Sequence, residues 1–307
     1  METNKETNFA SAVVYVHNDE TYVRQFIEEL DRTLSTNFLK FEIVVVNDKS
    51  TDNGIKLIRE YATTRSGLVI SILNMSYFQG LESSMNAGID LTIGDFVFEF
   101  DSVYVDYDWK IMMDIYFKSL TGFDIVNASP LRKLKLSSLL FYRLFNKSAH
   151  LQYDLGTETF RILSRRAINR VHSMSKTIPY RKAIYANCGL QLTTLKYHPV
   201  KDINAKIFSN RSNLAVNSLI LFSDIAYRIT LFMAVFMMIV TIGVALYALV
   251  YYFYETPVEG WTTTILFLSF AFFGLFAIMS MVIKYLSTIV NLIFTKKEYI
   301  FESIEKL

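Results

Sequence analysis

The sequence lacks the signals of several protein classes. Its one cysteine, Cys188, excludes an internal disulfide and a multi-cysteine metal site. The formal net charge is only +2, which argues against a nucleic-acid binder, so we expect no nucleic acid among the partners. The four histidines show no paired metal spacing. Residues 1–10 are polar and lack the apolar core of a signal peptide, which predicts that the soluble part stays in the cytoplasm.

The last quarter of the chain, by contrast, contains two long charge-free stretches, residues 229–254 and 260–283. At about 1.5 Å per residue, each is long enough to cross a bilayer core of about 30 Å. The alternative is a buried helical hairpin in a soluble protein, which runs of this length and apolarity disfavour. We therefore predict two transmembrane helices within residues 229–290 and a cytoplasmic tail at 291–307.

The residues that flank these stretches predict their orientation. The short loop between them has two glutamates, Glu255 and Glu259, and no Lys or Arg, whereas basic residues lie on the other side. These basic residues are Arg211, Arg228, Lys284, Lys296 and Lys297. The positive-inside rule then predicts a multi-pass protein of the inner (cytoplasmic) membrane with both termini in the cytoplasm. Residues 211–228 mix apolar and polar side chains, which indicates an interfacial amphipathic helix, with a simple linker as the alternative.

Residues 1–210 predict a soluble α/β domain, because short apolar runs alternate with stretches of helical spacing. The predicted strands are 12–16, 41–46, 68–73 and 96–100, and the predicted helices are 21–35, 55–62 and 80–93. This alternation is typical of a doubly wound, mostly parallel sheet. Ligands bind such sheets at the carboxyl ends of the strands, where Asp19, Asp48 and Asp101 follow three of these runs. A turn and helix-cap role is the alternative for Asp48, and a plain strand-end position is the alternative for Asp101.

Several segments resemble motifs of the family-2 inverting glycosyltransferases. VVVNDKSTD (44–52) is similar to the family's V-D-D-G-S-x-D turn, and GDFVFEFDSVYVD (94–106) is similar to its acidic metal motif. VYVHNDE (14–20) lies where the family has I-P-x-Y-N-E. Other segments resemble the polyprenyl-phosphate branch, which is similar to dolichol-phosphate mannose synthase: FYRLFN (141–146), FRILSRRAI (160–168) and LILFSDIAYR (219–228). The resemblance implies an A-type glycosyltransferase fold, with a Rossmann-like sheet, followed by an interfacial helix and a two-helix transmembrane hairpin.

The same resemblance implies a reaction. A sugar would move from a UDP- or GDP-linked donor to polyprenyl phosphate, undecaprenyl or dolichyl, for cell-envelope glycan or lipopolysaccharide synthesis. The acceptor phosphate is already an anionic nucleophile, so the need is to stabilise the diphosphate leaving group with a divalent cation and cationic side chains. Mg²⁺ or Mn²⁺ suits oxygen ligands. The family includes tetramers and other assemblies, which leaves a homo-oligomer open.

The resemblance also assigns roles to residues of the nucleotide-sugar site. Tyr15 and Asp19 would line the base and ribose, and Asp48 would accept a hydrogen bond from the nucleobase. Asp101, the first acid of the metal motif, would hold the metal or the ribose.

Asp101, Asp106 and Arg161 would form the catalytic set. Asp106 would lie near the sugar and acceptor, and the planar donor fork of Arg161 would suit a phosphate of donor or acceptor, with a structural ion pair as the alternative. Further candidates for the lipid phosphate are Lys201, Lys206 and Arg211.

The sequence departs from the family pattern at the metal motif. Its second acid is replaced by Val103, which cannot ligate a metal, and the family's Asp before Phe-Arg is Thr159. Glu99 shares a strand face with Asp101 and either compensates or is a buried acid behind the site. These departures support a second hypothesis, a catalytically silent homologue acting as a scaffold or regulatory subunit. A transferase with a non-lipid acceptor is a third and weaker reading.

Overall fold

The computed structural model describes residues 5–65, 67–132, 143, 146, 152–174, 181–200, 225–254, 259–293 and 299–307. The chain divides into two compact units, one formed by residues 1–214 with 296–307 and the other by residues 215–295. The first unit contains the sheet and its helices, and the second contains two long apolar helices.

The first unit alternates strands and helices along most of its length. The strands are β1 Ala10–Val16, β2 Phe41–Asn47, β3 Ile70–Met75, β4 Phe96–Phe100, β5 Ile125–Pro130, β6 Phe160–Ser164, β7 Leu192–Tyr197 and β8 Phe301–Lys306. The helices are α1 Glu20–Asn37, α2 Gly54–Thr64, α3 Leu81–Leu91, α4 Lys110–Leu120, α5 Arg165–Ser173 and α6 Arg181–Tyr185. All seven elements predicted from residues 12–100 are present, although β3 begins at Ile70 rather than at residue 68.

The strands form one mixed sheet in the order β7-β5-β6-β4-β1-β2-β3-β8. The pairs β1–β2, β2–β3 and β1–β4 are parallel, whereas β6 runs antiparallel to both β4 and β5. The carboxyl ends of β1, β2 and β4 therefore lie at one edge of the sheet, as predicted. The antiparallel β6 carries Arg161 directly opposite Glu99 of β4.

Apolar residues of the strands pack against helices on both faces of the sheet. Val14 and Val45 belong to a core with Phe26 of α1, Ile58 of α2 and other buried side chains. On the other face α3 approaches closely at Gly88, where an added Cβ would lie 2.4 Å from a methyl group of Val46. A larger residue at position 88 would push α3 off the sheet, so glycine is required by this packing.

The end of the chain contributes a strand that the sequence analysis described only as a tail. β8 pairs antiparallel with β3 at the edge of the sheet. Asn74 donates hydrogen bonds to Ser303 and Glu305 of this strand, at 3.1 and 2.7 Å. Arg59 of α2 binds both oxygens of the Glu305 carboxylate at 3.0 Å. Polar cross-strand contacts therefore hold β8, which explains why hydrophobic periodicity did not reveal it.

The second unit consists of α7 Ile225–Tyr254 and α8 Trp261–Ile293. Both helices are long and apolar enough to cross a membrane, over Leu231–Tyr254 and Trp261–Leu286. Only 11% and 6% of these stretches are buried inside the structure, unlike the core helix of a soluble protein. The rings of Tyr251 and Trp261 lie 5.3 Å apart where the two helices connect. The interfacial helix predicted at 211–228 lies outside the described residues up to residue 224, and α7 begins at Ile225.

Candidate active site

Asp48 follows β2 and binds the loop that precedes α3. Its carboxylate accepts hydrogen bonds from the backbone N–H groups of Gln79 and Gly80, both at 2.8 Å, and from the Tyr15 hydroxyl at 2.9 Å. The side chain is fully buried, with no exposed surface. Burial and the neighbouring Asp48 charge raise the pKa of Tyr15 well above its usual range, so this hydroxyl stays a donor. The structure thus brings Tyr15 and Asp48 together, and it gives Asp48 the role of anchoring a loop.

The turns after β1 and β2 are joined by side-chain to backbone hydrogen bonds. Asn18 and Lys49 adopt positive φ angles of 56° and 55°, a conformation that asparagine tolerates in turns. The Asn18 side chain accepts a hydrogen bond from the Thr51 N–H at 2.8 Å. The His17 ring lies 2.6 Å from the Asp48 carbonyl and 4.6 Å from the Phe78 ring. These contacts fix the edge of the sheet at which a ligand would enter.

Asp19, the acid predicted to line the ribose, is partly exposed at this edge. Its carboxylate accepts a hydrogen bond from the His17 N–H at 3.0 Å. Burial raises the pKa of the Asp19 carboxyl, although that hydrogen bond opposes the shift. The Tyr104 hydroxyl also interacts with Asp19, and burial likewise raises the Tyr104 pKa. Asp19 therefore connects the end of β1 to the segment that follows β4.

Asp101, at the end of β4, belongs to a buried charge cluster that we define as Glu82, Glu99, Asp101, Arg161, Arg181 and Tyr185. Arg161 donates to Glu99 at 2.6 Å and to one oxygen of Asp101 at 3.1 Å. Arg181 donates to the other oxygen of Asp101 at 2.6 Å and to Glu99 at 3.1 Å. The two arginines are 1% and 0% exposed, and Asp101 is 6% exposed. Both oxygens of Asp101 therefore accept from guanidinium groups.

Arg181 extends the buried charge cluster to α3. Its backbone N–H and its Nε both donate to Glu82, at 2.9 and 3.0 Å. The Tyr185 hydroxyl, one turn further along α6, donates to the remaining oxygen of Glu99. Each of the three carboxylates thus has donors, as a buried charge requires.

The arginines of this cluster stay charged. Burial alone would lower the pKa of Arg161, but the charges of Asp101 and Glu99 raise it well above its usual range. The same balance raises the pKa of Arg181, with Glu82 as its strongest partner. Burial raises the pKa of Tyr185, so its hydroxyl remains a donor to Glu99. The contacts of Arg161 are ion pairs with Glu99 and Asp101, as in the structural alternative. Its phosphate-binding role stays a prediction.

Asp106 lies in a separate network after β4. Tyr197 of β7 donates to one of its carboxylate oxygens at 2.7 Å, and Arg132 donates to the other at 2.5 Å. Thr159, which stands where the family has Asp, shares a 2.6 Å hydrogen bond with the Tyr197 hydroxyl. Asp106 is only 3% exposed. Its place near sugar and acceptor remains a prediction.

The residues around Asp101 do not fit a divalent cation. Both carboxylate oxygens accept from positively charged guanidinium groups, which a cation would have to displace. Val103 is 2% exposed and packs in the hydrophobic core. Within the described ranges, no group of three or more His, Cys, Asp or Glu side chains could hold a metal ion. The metal role predicted for Asp101 therefore has no support in this geometry.

Three predicted residues lie outside the described ranges, and several residues of the networks above were not predicted. Lys201, Lys206 and Arg211, the candidates for lipid phosphate, lie outside the described residues. Five residues of these networks were not predicted from the sequence: Arg181, Glu82, Tyr185, Arg132 and Tyr197. No motif or spacing marks these residues, because the contacts join positions up to 99 residues apart.

This architecture is that of an α/β domain with acidic side chains at the carboxyl ends of parallel strands. Residues 11–108 match the family model described as Glycosyl transferase family 2. This match identifies residues 11–108 as a Glycosyl transferase family 2 domain.

Individual relatives are distant. An uncharacterized glycosyltransferase of Synechocystis is 26% identical over 190 residues, 60% of this chain and 58% of the relative. The bactoprenol glucosyl transferase of Shigella phage SfX is 25% identical over 235 residues, 74% of this chain and 76% of the relative. A solved structure of a Pyrobaculum calidifontis mannosyltransferase with GDP-Man and Mn²⁺ has a TM-score of 0.49 at 12% identity, covering 70% of this chain and 63% of that one. The chain spans less than two thirds of the length of the Synechocystis relative.

Proposed function

We propose that this protein transfers a sugar from a nucleotide-diphosphate donor to polyprenyl phosphate at the surface of a membrane. The similarity to a bactoprenol glucosyl transferase carries this proposal, because it extends over 74% of the chain and so beyond the family 2 domain. The two long apolar helices add support, since a lipid-linked acceptor requires an enzyme at a membrane. The product would serve cell-envelope glycan or lipopolysaccharide synthesis.

The edge of the sheet formed by the ends of β1 and β2 is proposed to receive the nucleoside. Asp48 fixes the Gln79–Gly80 backbone through two hydrogen bonds, so the wall of this site is rigid before a ligand arrives. Tyr15 and Asp19 line the same edge. We propose that they contact base and ribose.

The sugar and the acceptor phosphate are proposed to bind near Asp106. Arg132 and Tyr197 hold both of its carboxylate oxygens, which gives the side chain one orientation. The acceptor phosphate needs no strong general base, so a fixed carboxylate would serve to orient the sugar. Lys201, Lys206 and Arg211 are proposed to attract the lipid phosphate.

The protein is proposed to lie in the inner membrane with the sheet in the cytoplasm. The basic residues that flank the helices support this orientation. Residues 1–214 and residues 296–307 belong to one compact unit, which supports placing both on the same side of the membrane. A homo-oligomer is also part of the proposal, and only the family resemblance supports it.

A transfer assay tests the reaction. Detergent-solubilised protein is incubated with polyprenyl phosphate and a panel of labelled UDP- and GDP-sugars, in Mg²⁺, in Mn²⁺ and in EDTA. Asp106→Asn keeps the size of the side chain and is expected to lower kcat, whereas Asp114→Asn, on the exposed face of α4, is the matched control. A lipid-linked product that depends on Asp106 would support the proposal and identify the donor.

The absence of product from every donor, with folded and monodisperse protein, would favour the catalytically silent homologue instead. One observation makes that second function worth testing: the acid of the metal motif is enclosed in the buried charge cluster. Binding of UDP or GDP without transfer would indicate a regulatory subunit that retains the nucleotide site.

Cysteine labelling tests the orientation. Glu259→Cys lies between the two apolar helices and is expected to react with a membrane-impermeant maleimide in intact cells. Glu302→Cys on the exposed side of β8 is the control and should react only after permeabilisation. The native Cys188 is buried and contributes little background. Labelling of Glu302→Cys in intact cells would contradict the proposed orientation.

A further inference from the structure

We infer that Asp101 is not a metal ligand in this protein, because Arg161 and Arg181 occupy the carboxylate that the family resemblance assigns to a divalent cation. The part of this inference that concerns binding of the nucleotide donor rests on the proposed function. It contradicts the metal-ligand role that the resemblance assigns to Asp101.

Both oxygens of the Asp101 carboxylate already have guanidinium partners. One oxygen of Asp101 accepts from Arg161 at 3.1 Å and the other accepts from Arg181 at 2.6 Å. Both guanidinium groups are buried, so water cannot replace them as partners if they leave. Metal binding would therefore require two charged groups to lose their partners in a region of low dielectric.

The buried charge cluster already balances most of its negative charge internally. Its three carboxylates face two guanidinium groups that remain charged, which leaves one formal negative charge. That charge is stabilised by the Tyr185 hydroxyl on Glu99 and by the Arg181 N–H on Glu82. A cation beside Asp101 would also lie beside two guanidinium groups, and like charges at such distances repel strongly inside a protein.

The second ligand position of the metal motif holds an apolar side chain. Val103 supplies only methyl groups, and it is 2% exposed within the hydrophobic core. Glu99 does not compensate, because it is fully buried and its two oxygens accept from Arg161, Arg181 and Tyr185. Mg²⁺ and Mn²⁺ sites use several oxygen ligands around one ion, and the described residues near Asp101 leave none for this purpose.

A substrate-induced opening of the cluster is the competing explanation. The arginines would then release Asp101 and bind the donor diphosphate, and a cation would enter. That movement would take from Glu82 and Glu99 the guanidinium partners that the structure describes for them. The experiment must therefore include the nucleotide together with the metal.

The test is Mn²⁺ binding to the full-length protein in detergent, measured by the electron paramagnetic resonance signal of free Mn²⁺. Mn²⁺ is added alone, with UDP and with GDP, and each signal is compared with the same solution without protein. We expect the wild-type protein to leave the signal unchanged in all three conditions. A stoichiometric loss that disappears in Asp101→Asn and persists in the exposed Asp114→Asn would overturn the inference.

Asp101→Asn disturbs a buried cluster and can fail to fold, so a second measurement uses the wild-type protein alone. Mn²⁺ bound at Asp101 would broaden the methyl resonances of Val103, two residues away, before those of Val69, which precedes β3 at the opposite edge of the sheet. We expect no selective broadening of Val103, and its appearance would overturn the inference.

Nucleotide affinity separates this inference from the proposed function. Calorimetric titration of UDP and GDP is expected to give the same affinity in EDTA and in Mg²⁺. Affinity that appears only in Mg²⁺, together with Mn²⁺ bound at Asp101, overturns the inference and preserves the transferase proposal. If neither nucleotide binds in either buffer, the proposed function fails, while the Mn²⁺ measurements still decide the role of Asp101.

Discussion

Asp48 follows β2 and Asp101 follows β4 of the same sheet, yet their carboxylates accept hydrogen bonds from different kinds of donor. Asp48 accepts hydrogen bonds from two backbone N–H groups and a tyrosine hydroxyl. Asp101 accepts from two guanidinium groups that come from β6 and α6. The first arrangement uses neutral donors and leaves a net charge that helps to order a loop. The second neutralises the carboxylate with formal positive charges.

This difference separates the two motifs. The Asp48 turn can still form the wall of a ligand site, whereas the Asp101 motif lacks the free carboxylate oxygens that a metal site needs. A carboxylate that fixes a loop through neutral donors still presents a defined wall to a ligand. A carboxylate between two arginines has no free oxygen for a cation. Substitutions at both sites can test whether this contrast is real.

The largest effect is expected for Arg181→Met. The substitution leaves Glu82 without its only described cationic partner and removes one of the two guanidinium groups on Asp101. Breaking a buried pair in this way costs about 3–5 kcal/mol of unfolding free energy. Urea denaturation measures the loss, with Arg24→Met as control, because Arg24 pairs with Glu28 on the exposed surface of α1. Equal stability of the two variants would mean that the cluster does not hold Asp101.

Val103→Asp is expected to have the next largest effect. The new carboxylate would enter the hydrophobic core at a position that is 2% exposed, at a cost of about 3 kcal/mol. Val103→Thr has a similar shape without the charge and should cost less. Denaturation midpoints check the order, and Mn²⁺ titration should show no gain of metal binding. A stable, metal-binding Val103→Asp variant would contradict the proposed difference between the two aspartates.

Asp48→Asn should cost about 2 kcal/mol, because an amide can accept with one oxygen only and turns its NH₂ group toward a backbone donor. Tyr15→Phe removes one of the three donors and should cost about 1 kcal/mol. Hydrogen exchange of the Gln79 and Gly80 amides reports the local effect. If these amides exchange as slowly in Asp48→Asn as in the wild type, Asp48 does not anchor the loop.

The smallest effect concerns β8, and the residue directly before this strand contacts Gln79 of the Asp48-bound loop. The Ile300 N–H donates to the Gln79 side chain at 3.0 Å. Hydrogen bonding by Arg59 lowers the pKa of Glu305 below its ordinary value of 4.5. A lowered folded-state pKa means that the stabilisation is complete above 4.5 and is lost as the pH falls further.

Amide chemical shifts of β8 should therefore change on acidification below the ordinary pKa of Glu305 and should change less in Glu305→Gln. The contribution is small because the pair is partly exposed to solvent. An identical acid transition in the wild type and the variant would mean that another group controls the docking of β8.

Much of the fold could be predicted from the sequence. The apolar run FEIVVV predicted β2, and the helical spacing of Val23, Phe26 and Leu30 predicted α1. Strand β8 could not be predicted, because FESIEK is polar and is held by Asn74 and Arg59, which lie far away in the chain. The pairing of a polar edge strand depends on its partner rather than on its own pattern.

The candidate site divides in the same way. The resemblance pointed to Asp48, Asp101 and Arg161, and the structure brings the last two into contact. Arg181 carries no local signal, and its role depends on α6 reaching Glu82 and Asp101. Glu99 could be read either as a metal ligand or as a buried acid, and its three hydrogen-bond donors identify it as a buried acid.

The sequence by itself determined the strand–helix alternation, the acidic strand ends and the two apolar helices, because hydrophobic periodicity and strand-end residues depend on neighbours along the chain. Only the tertiary structure decided which charges meet. Arg161 is 60 residues from Asp101, and Arg181 is 80 residues from it. Their contact depends on the register of β6 against β4 and on the position of α6. Whether a buried carboxylate holds a metal or a guanidinium follows from that geometry and not from its motif.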